Sequence, residues 1–282
     1  MRIDRQGTRI AAREAGSGET VALLHATASS GSQWRALFDT LRASWHVVAP
    51  DLYGYGETDP WPGTRPFSLS QEAALLDAVL PPGGHPVHLI GHSYGGAVAL
   101  RFAMEQPERV RSLVLIEPVA LHLLWDEAPN QVNRPLYREV RSIASVVARA
   151  ATRGDYRSAA TRFIDYWNGK GAWSRLEPSL QADLARRIPK IALDFWAAMT
   201  ETSAAADYRG IGAPTLILRG SRSPAPARRI AEIVAESLRR ARLQTIEGAG
   251  HMLPLTHVEP INAAIAAHLL RCRSEGRHPA AA

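Results

Sequence analysis

Short apolar runs recur through the first part of the chain: Val21-Ala22-Leu23-Leu24-His25, His46-Val47-Val48-Ala49-Pro50-Asp51, Val87-His88-Leu89-Ile90-Gly91 and Ser112-Leu113-Val114-Leu115-Ile116-Glu117. Each is too short for a helix and too uniformly apolar for a strand with one wet face, which is how parallel strands covered on both sides read. Between them the spacing turns helical. Trp34, Leu37, Phe38 and Leu41 predict a helix over 33–42. Leu75, Leu76 and Val79 predict one over 70–80 that stops before Pro81-Pro82-Gly83-Gly84, and a third over 95–106 stops before Pro107. Strand–helix alternation implies βαβ crossovers and a doubly wound sheet. Segment 2–15, with its Gln6-Gly7 turn, suits an antiparallel opening hairpin.

From 119 to 211 the strand runs vanish. Val140, Ile143, Val146, Val147 and Ala150 share one face of a helix over 137–151, and helical patterns follow over 156–167, 180–188 and 191–199. The sheet pattern returns with Pro214-Thr215-Leu216-Ile217-Leu218 and Leu243-Gln244-Thr245-Ile246, separated by a helix over 227–240 and followed by one over 260–271. The expected organisation is an α/β core over 1–118 and 212–282, interrupted by a helical insertion over 119–211, with a frayed tail over 274–282.

Composition narrows the function classes. The 282 residues are 46% hydrophobic and 21% charged, which excludes a disordered or collagen-like chain. The net charge of +6 is carried by scattered arginines, the only lysines being Lys170 and Lys190. No concentrated basic stripe with interleaved aromatics appears, so nucleic acid is not an expected partner. The first residues lack the apolar core of a signal peptide, no run reaches membrane-span length, and the single Cys272 suits a reducing compartment. A cytoplasmic location is the expectation. No Gly-x-Gly-x-x-Gly, phosphate loop, His-Glu-x-x-His or cysteine cluster occurs, and His85 and His88 lack a carboxylate partner, so no cofactor and no metal are expected.

The chemistry concentrates at Gly91-His92-Ser93-Tyr94-Gly95, between a buried strand and a helix. Gly-x-Ser-x-Gly in that setting marks a turn so sharp that its flanking positions must be small. The serine hydroxyl then projects above the sheet edge, over helix N–H groups suited to a developing oxyanion. A serine needs a base. His251, in the turn Gly248-Ala249-Gly250-His251-Met252 after the last predicted strand, is the candidate. Parallel strands end on one edge, where Ser93 and His251 can meet.

These motifs, together with Leu24-His25-Ala26-Thr27-Ala28, Asp51-Leu52-Tyr53-Gly54-Tyr55-Gly56 and the helical insertion, resemble the α/β-hydrolase superfamily over nearly the whole chain. The resemblance implies a mostly parallel eight-stranded sheet flanked by helices, with the insertion as a cap. It also implies a triad acid, and here the chain departs from the usual pattern. After Thr215-Leu216-Ile217-Leu218 stands Arg219-Gly220-Ser221-Arg222-Ser223-Pro224, with serine where aspartate is common. The other family location, used by dehalogenase-like members, is the end of the preceding strand, which points to Glu117. Glu247 is the rival. The oxyanion donors are then the backbone N–H groups of Tyr94 and Thr27. His25 and His92 read as structural, and Asp51 as ordering its own loop.

The expected activity is a serine hydrolase that cleaves a carboxylic ester, thioester or lactone through an acyl-enzyme on Ser93. Its substrate is a small molecule with an apolar portion, and Trp125 and Met252 are expected in the pocket wall. A carbon–carbon bond hydrolase or hydroxynitrile lyase on the same triad, and a non-enzymatic receptor on the same scaffold, are the alternatives. A haloalkane dehalogenase or epoxide hydrolase needs a carboxylate nucleophile, which Ser93 cannot supply.

Overall fold

The computed structural model of the chain describes residues 1–5, 7–63, 65–125 and 133–275. Gln6 of the expected turn and residues 276–282 of the expected tail lie outside the described residues. The strands are β1 (Arg2–Arg5), β2 (Thr8–Ala15), β3 (Thr20–Leu24), β4 (His46–Pro50), β5 (Val87–His92), β6 (Val110–Ile116), β7 (Thr215–Gly220) and β8 (Ala241–Ile246). They form one sheet in the order β1-β2-β4-β3-β5-β6-β7-β8. The β1–β2 hairpin pairs antiparallel, β2 joins β4 antiparallel, and every later pair is parallel.

Why the central strands read as unbroken apolar runs is visible in their sides. Ala22, Leu24, Leu89, Leu113, Leu115 and Ile217 pack into a core on one face. Val21, Leu23, Ile90, Val114, Ile116 and Leu218, one residue out of step, pack into a second core on the other. Strand side chains alternate faces, so a sheet covered twice needs apolar residues at every position.

The helices α1 (Arg35–Leu41) and α11 (Val258–Glu275) pack on the second face. The first face carries α2 (Leu69–Ala73), α3 (Leu76–Val79), α4 (Tyr94–Glu105) and α9 (Ala225–Ser237). The helix expected over 70–80 is thus two pieces, because the Leu75 and Ala78 N–H groups bond three residues back, to Glu72 and Leu75, and tighten the ladder there. Between β6 and β7 the described chain is helical: α5 (Asn133–Arg153), α6 (Tyr156–Asn168), α7 (Pro178–Arg186) and α8 (Ile188–Met199). A four-residue helix, α10 (Leu253–Thr256), lies between β8 and α11. No helix among the described residues is long and apolar enough to cross a membrane.

Candidate active site

Ser93 sits between β5 and α4 with φ 55° and ψ −116°. That left-handed conformation costs a non-glycine residue on the order of 1–3 kcal/mol and persists only where the surroundings hold it. They do so here. Its N–H donates to the Ile116 carbonyl at 2.9 Å, and its own carbonyl accepts from Gly96 (3.0 Å), Val119 (3.1 Å) and Ala97 (3.2 Å). The flanking glycines are steric requirements. A Cβ on Gly91 would lie 2.3 Å from the Gly95 carbonyl oxygen, and one on Gly95 would lie 2.4 Å from that of Leu24.

His251 arrives on the turn between β8 and α10, and Glu117 stands just past the end of β6 with φ 45°. The parallel run β5-β6-β7-β8 ends these segments on one edge of the sheet. Ser93 Oγ–H donates to His251 Nε2 at 2.9 Å, and His251 Nδ1–H donates to Glu117 Oε2 at 2.6 Å. The other carboxylate oxygen accepts from the Gly220 N–H at 2.7 Å. All three side chains are buried. Burial pushes the Glu117 carboxyl up, but its hydrogen bonds from His251 and Gly220 outweigh burial and hold it below the usual carboxylate range. The rival Glu247 is exposed and accepts from the Ser221 hydroxyl instead, at 2.9 Å.

Beneath the serine runs a second chain of hydrogen bonds. His92 Nε2–H donates to the His251 carbonyl (2.9 Å), the Gln33 amide donates to His92 Nδ1 (3.2 Å), and the Ala26 N–H donates to Gln33 Oε1 (3.1 Å). The donor order requires a neutral His92. Burial, and after it the neighbouring His251, push that ring down to about 3. His25 is tied in the same way, Nδ1–H donating to the Ala26 carbonyl and Nε2 accepting from the Leu52 N–H, and burial pushes it also down to about 3. Asp51 accepts from the Gly31 and Glu57 N–H groups, which orders its loop. His88, expected to lack a carboxylate partner, has one, because parallel β3 and β5 bring Glu19 within 3.3 Å of its Nε2 while Nδ1 meets Ser112; no metal-holding cluster occurs among the described residues.

Thr27, Tyr94 and Ser93 line one cavity of about 460 Å³. Tyr94 opens α4, so its N–H is one that a helix leaves without an internal partner. Leu121, Phe163, Trp167, Leu184 and Phe195 form apolar wall, Met252 lies beside the base, and Asn168 and Arg175 add polar groups. Trp125, expected in this wall, is not among the lining residues. It follows the one-turn helix Leu121–Leu124, is 59% exposed, and packs against Tyr137 at 5.0 Å between ring centroids.

Residues 21–264 match the model of the alpha/beta hydrolase family. The chain belongs to that family. The hydrolase is 28% identical over 244 residues to the pimeloyl-[acyl-carrier protein] methyl ester esterase of Neisseria meningitidis serogroup B (strain MC58), covering 85% of this chain and 88% of that protein. It is 40% identical over 100 residues to the lipase LipV of Mycobacterium tuberculosis, 35% of this chain and 36% of that one. Its fold superposes on a thermophilic esterase from Thermogutta terrifontis with a TM-score of 0.73 at 23% identity, over 96% of this chain and 99% of that one.

One part of the hydrolase's site escaped the sequence reading. Lys190 on α8 lies between two buried carboxylates, bonding Asp194 of the same helix and Glu72 of α2, the latter at 3.1 Å. Asp194 Oδ2 also accepts from the Tyr55 hydroxyl (2.6 Å) and the Thr27 hydroxyl (2.8 Å), while Tyr94 donates to Glu72 at 3.2 Å. Burial alone would lower Lys190, and the facing carboxylates outweigh it and hold the ammonium charged. The cluster ties α8 to the loop that carries Thr27. Arg187 adds a second tie by donating to the Ala28 carbonyl at 2.7 Å. Its signals in the sequence were a glutamate amid an apolar helix pattern and a Lys–Asp pair four apart.

Proposed function

We propose that the protein is a serine hydrolase of carboxylic esters, working through an acyl-enzyme on Ser93. The observation that carries this reading is the buried line Glu117–His251–Ser93, with contacts of 2.6 and 2.9 Å, opening on an apolar cavity. As Ser93 Oγ attacks the ester carbonyl, its proton passes to His251 Nε2, and Glu117 stabilises the imidazolium from behind. The tetrahedral oxyanion accepts from the Thr27 and Tyr94 N–H groups, each such donor being worth roughly 2.7–4 kcal/mol in enzymes of this chemistry. Collapse expels the alcohol with the proton from His251. Water, deprotonated by the same ring, then releases the acid and frees Ser93. Residues 119–211 serve as the cap, and the apolar wall receives an aliphatic or aromatic portion of a small-molecule substrate. The esterase and lipase names of the relatives agree with ester cleavage.

The test is hydrolysis of short p-nitrophenyl esters and labelling by a fluorophosphonate, with Ser93→Ala as control. Both are expected in the wild-type protein and neither in the variant. Absence of labelling in the wild type, or turnover that survives Ser93→Ala, would refute the reading.

A further inference from the structure

The imidazole of His251 has a face that the triad does not use, and an indole covers it. The Trp167 ring stands 4.2 Å from the His251 ring, centroid to centroid, at an interplanar angle of 33°. Trp167 comes from the insertion, at the penultimate position of α6, and is 7% exposed. Several contacts fix it there. Tyr166 meets it edge-on at 4.9 Å, and Phe163, one turn earlier, packs edge-on against Phe195 of α8 at 6.0 Å. Beyond the helix end, Asp165 accepts from the Gly171 and Trp173 N–H groups at 3.0 and 2.8 Å, pinning the turn that follows. A residue needed only as cavity wall would not have to lie over the base within stacking distance.

We infer that Trp167 is a positioning residue for the hydrolytic step, holding its π face against His251 so that the imidazolium formed on proton transfer is stabilised from above. The inference rests on the serine-hydrolase reading. In the neutral ring the stack is ordinary aromatic packing. When the Ser93 proton moves to Nε2, the ring acquires a full positive charge while Nδ1–H stays bonded to Glu117. The negative face of the indole then attracts it, in a site from which water is largely excluded. The charged and titratable groups around the ring are Glu117 behind Nδ1, Ser93 at Nε2 and His92 beside it at 5.3 Å. Asp194 and Arg175 line the same cavity. Glu117 meets the ring at its Nδ1 edge, and of the two aromatic rings beside His251, Trp167 at 4.2 Å is nearer than the neutral His92 at 5.3 Å. The insertion thereby supplies part of the machinery, beyond enclosing the substrate.

The test keeps size and hydrophobicity nearly constant and changes only the ring's electrostatics. Trp167 is replaced site-specifically by mono-, di- and trifluorotryptophan, and kcat/KM for a p-nitrophenyl ester is measured against pH. A parallel 13C NMR titration follows the His251 ring without substrate. Across the series the acid limb and the ring's titration midpoint should move together to lower pH by about one unit, with a plateau falling on the order of tenfold. A fixed acid limb and a flat plateau, with turnover still abolished by Ser93→Ala, would overturn the role of Trp167 and leave the hydrolase reading standing. A shifting ring titration in a protein without Ser93-dependent turnover would overturn the hydrolase reading and keep the stack as a charge-stabilising contact.

Discussion

Replacing Glu117 with glutamine tests the placement of the acid, because the two geometries open to the amide can be worked out. Both carboxylate oxygens now accept, one from His251 Nδ1 at 2.6 Å and one from Gly220 N–H at 2.7 Å. Glutamine has one acceptor and one donor in their place. If its oxygen keeps Gly220, the NH₂ faces Nδ1 and the ring must carry its hydrogen on Nε2, where it cannot take the Ser93 proton. That wrong tautomer costs about 10⁴-fold in the corresponding triad variant of a serine protease. If the oxygen turns to His251 instead, two donors meet at Gly220, and leaving that buried N–H unpaired costs roughly 1–3 kcal/mol, or about 5- to 150-fold. Either way the imidazolium loses its counter-charge. We therefore expect kcat/KM on a p-nitrophenyl ester to fall between about 10² and 10⁴-fold for Glu117→Gln. Fluorophosphonate labelling should slow in parallel. Glu247→Gln alters an exposed bond to Ser221 outside the triad's hydrogen bonds and should stay within about twofold, as surface substitutions do. Equal losses in the two variants would refute the assignment of the acid to Glu117.

Three further outcomes follow from the same contacts. Lys190→Met leaves the buried Glu72 and Asp194 carboxyls facing each other without their cation; a loss of roughly 3–5 kcal/mol is expected, a fall in Tm on the order of 10 °C, partly regained by adding Glu72→Gln. An unchanged Tm would show the cluster to be inert. Gly95→Ala should abolish soluble expression or Ser93 labelling, since its Cβ would meet the Leu24 and His25 carbonyls at 2.4 and 2.6 Å; a normally labelled variant would contradict the steric account of the turn. Finally, His25 and His92 are neutral in the fold down to about 3, whereas the unfolded chain protonates its histidines near 6.5, so the unfolded state binds more protons between those values and stability falls as pH drops through that window. Urea midpoints at pH 7 and pH 4 read this fall. A His92→Gln variant, with no ring to protonate, should show a smaller drop, and an equal drop in both would remove His92 as a cause.

The core strands were legible because each apolar run is too short for a helix, and burial on both faces of the sheet removes the polar alternation of a half-exposed strand. The Ser93 turn was legible because sterics admit only glycine at 91 and 95, and that requirement is written in the residues themselves. Glu117 was reachable only through the family's two known acid positions together with strand order. Trp125 misled, because an aromatic close in sequence to a site residue carries no information about which way a one-turn helix will aim it.

Local patterning along the chain thus determined the elements, the sharp bend at Ser93 and the residue types able to do acyl chemistry, since these depend on near neighbours and on the period of the backbone. Only the tertiary structure decided that Trp167 lies over His251, that Gln33 and His92 link the base to the Thr27 loop, and that Lys190, Glu72 and Asp194 join α8 to that loop. Such contacts join side chains from elements far apart in sequence. Their partners are chosen by how the helices pack onto the sheet, and no periodicity along the chain encodes that choice.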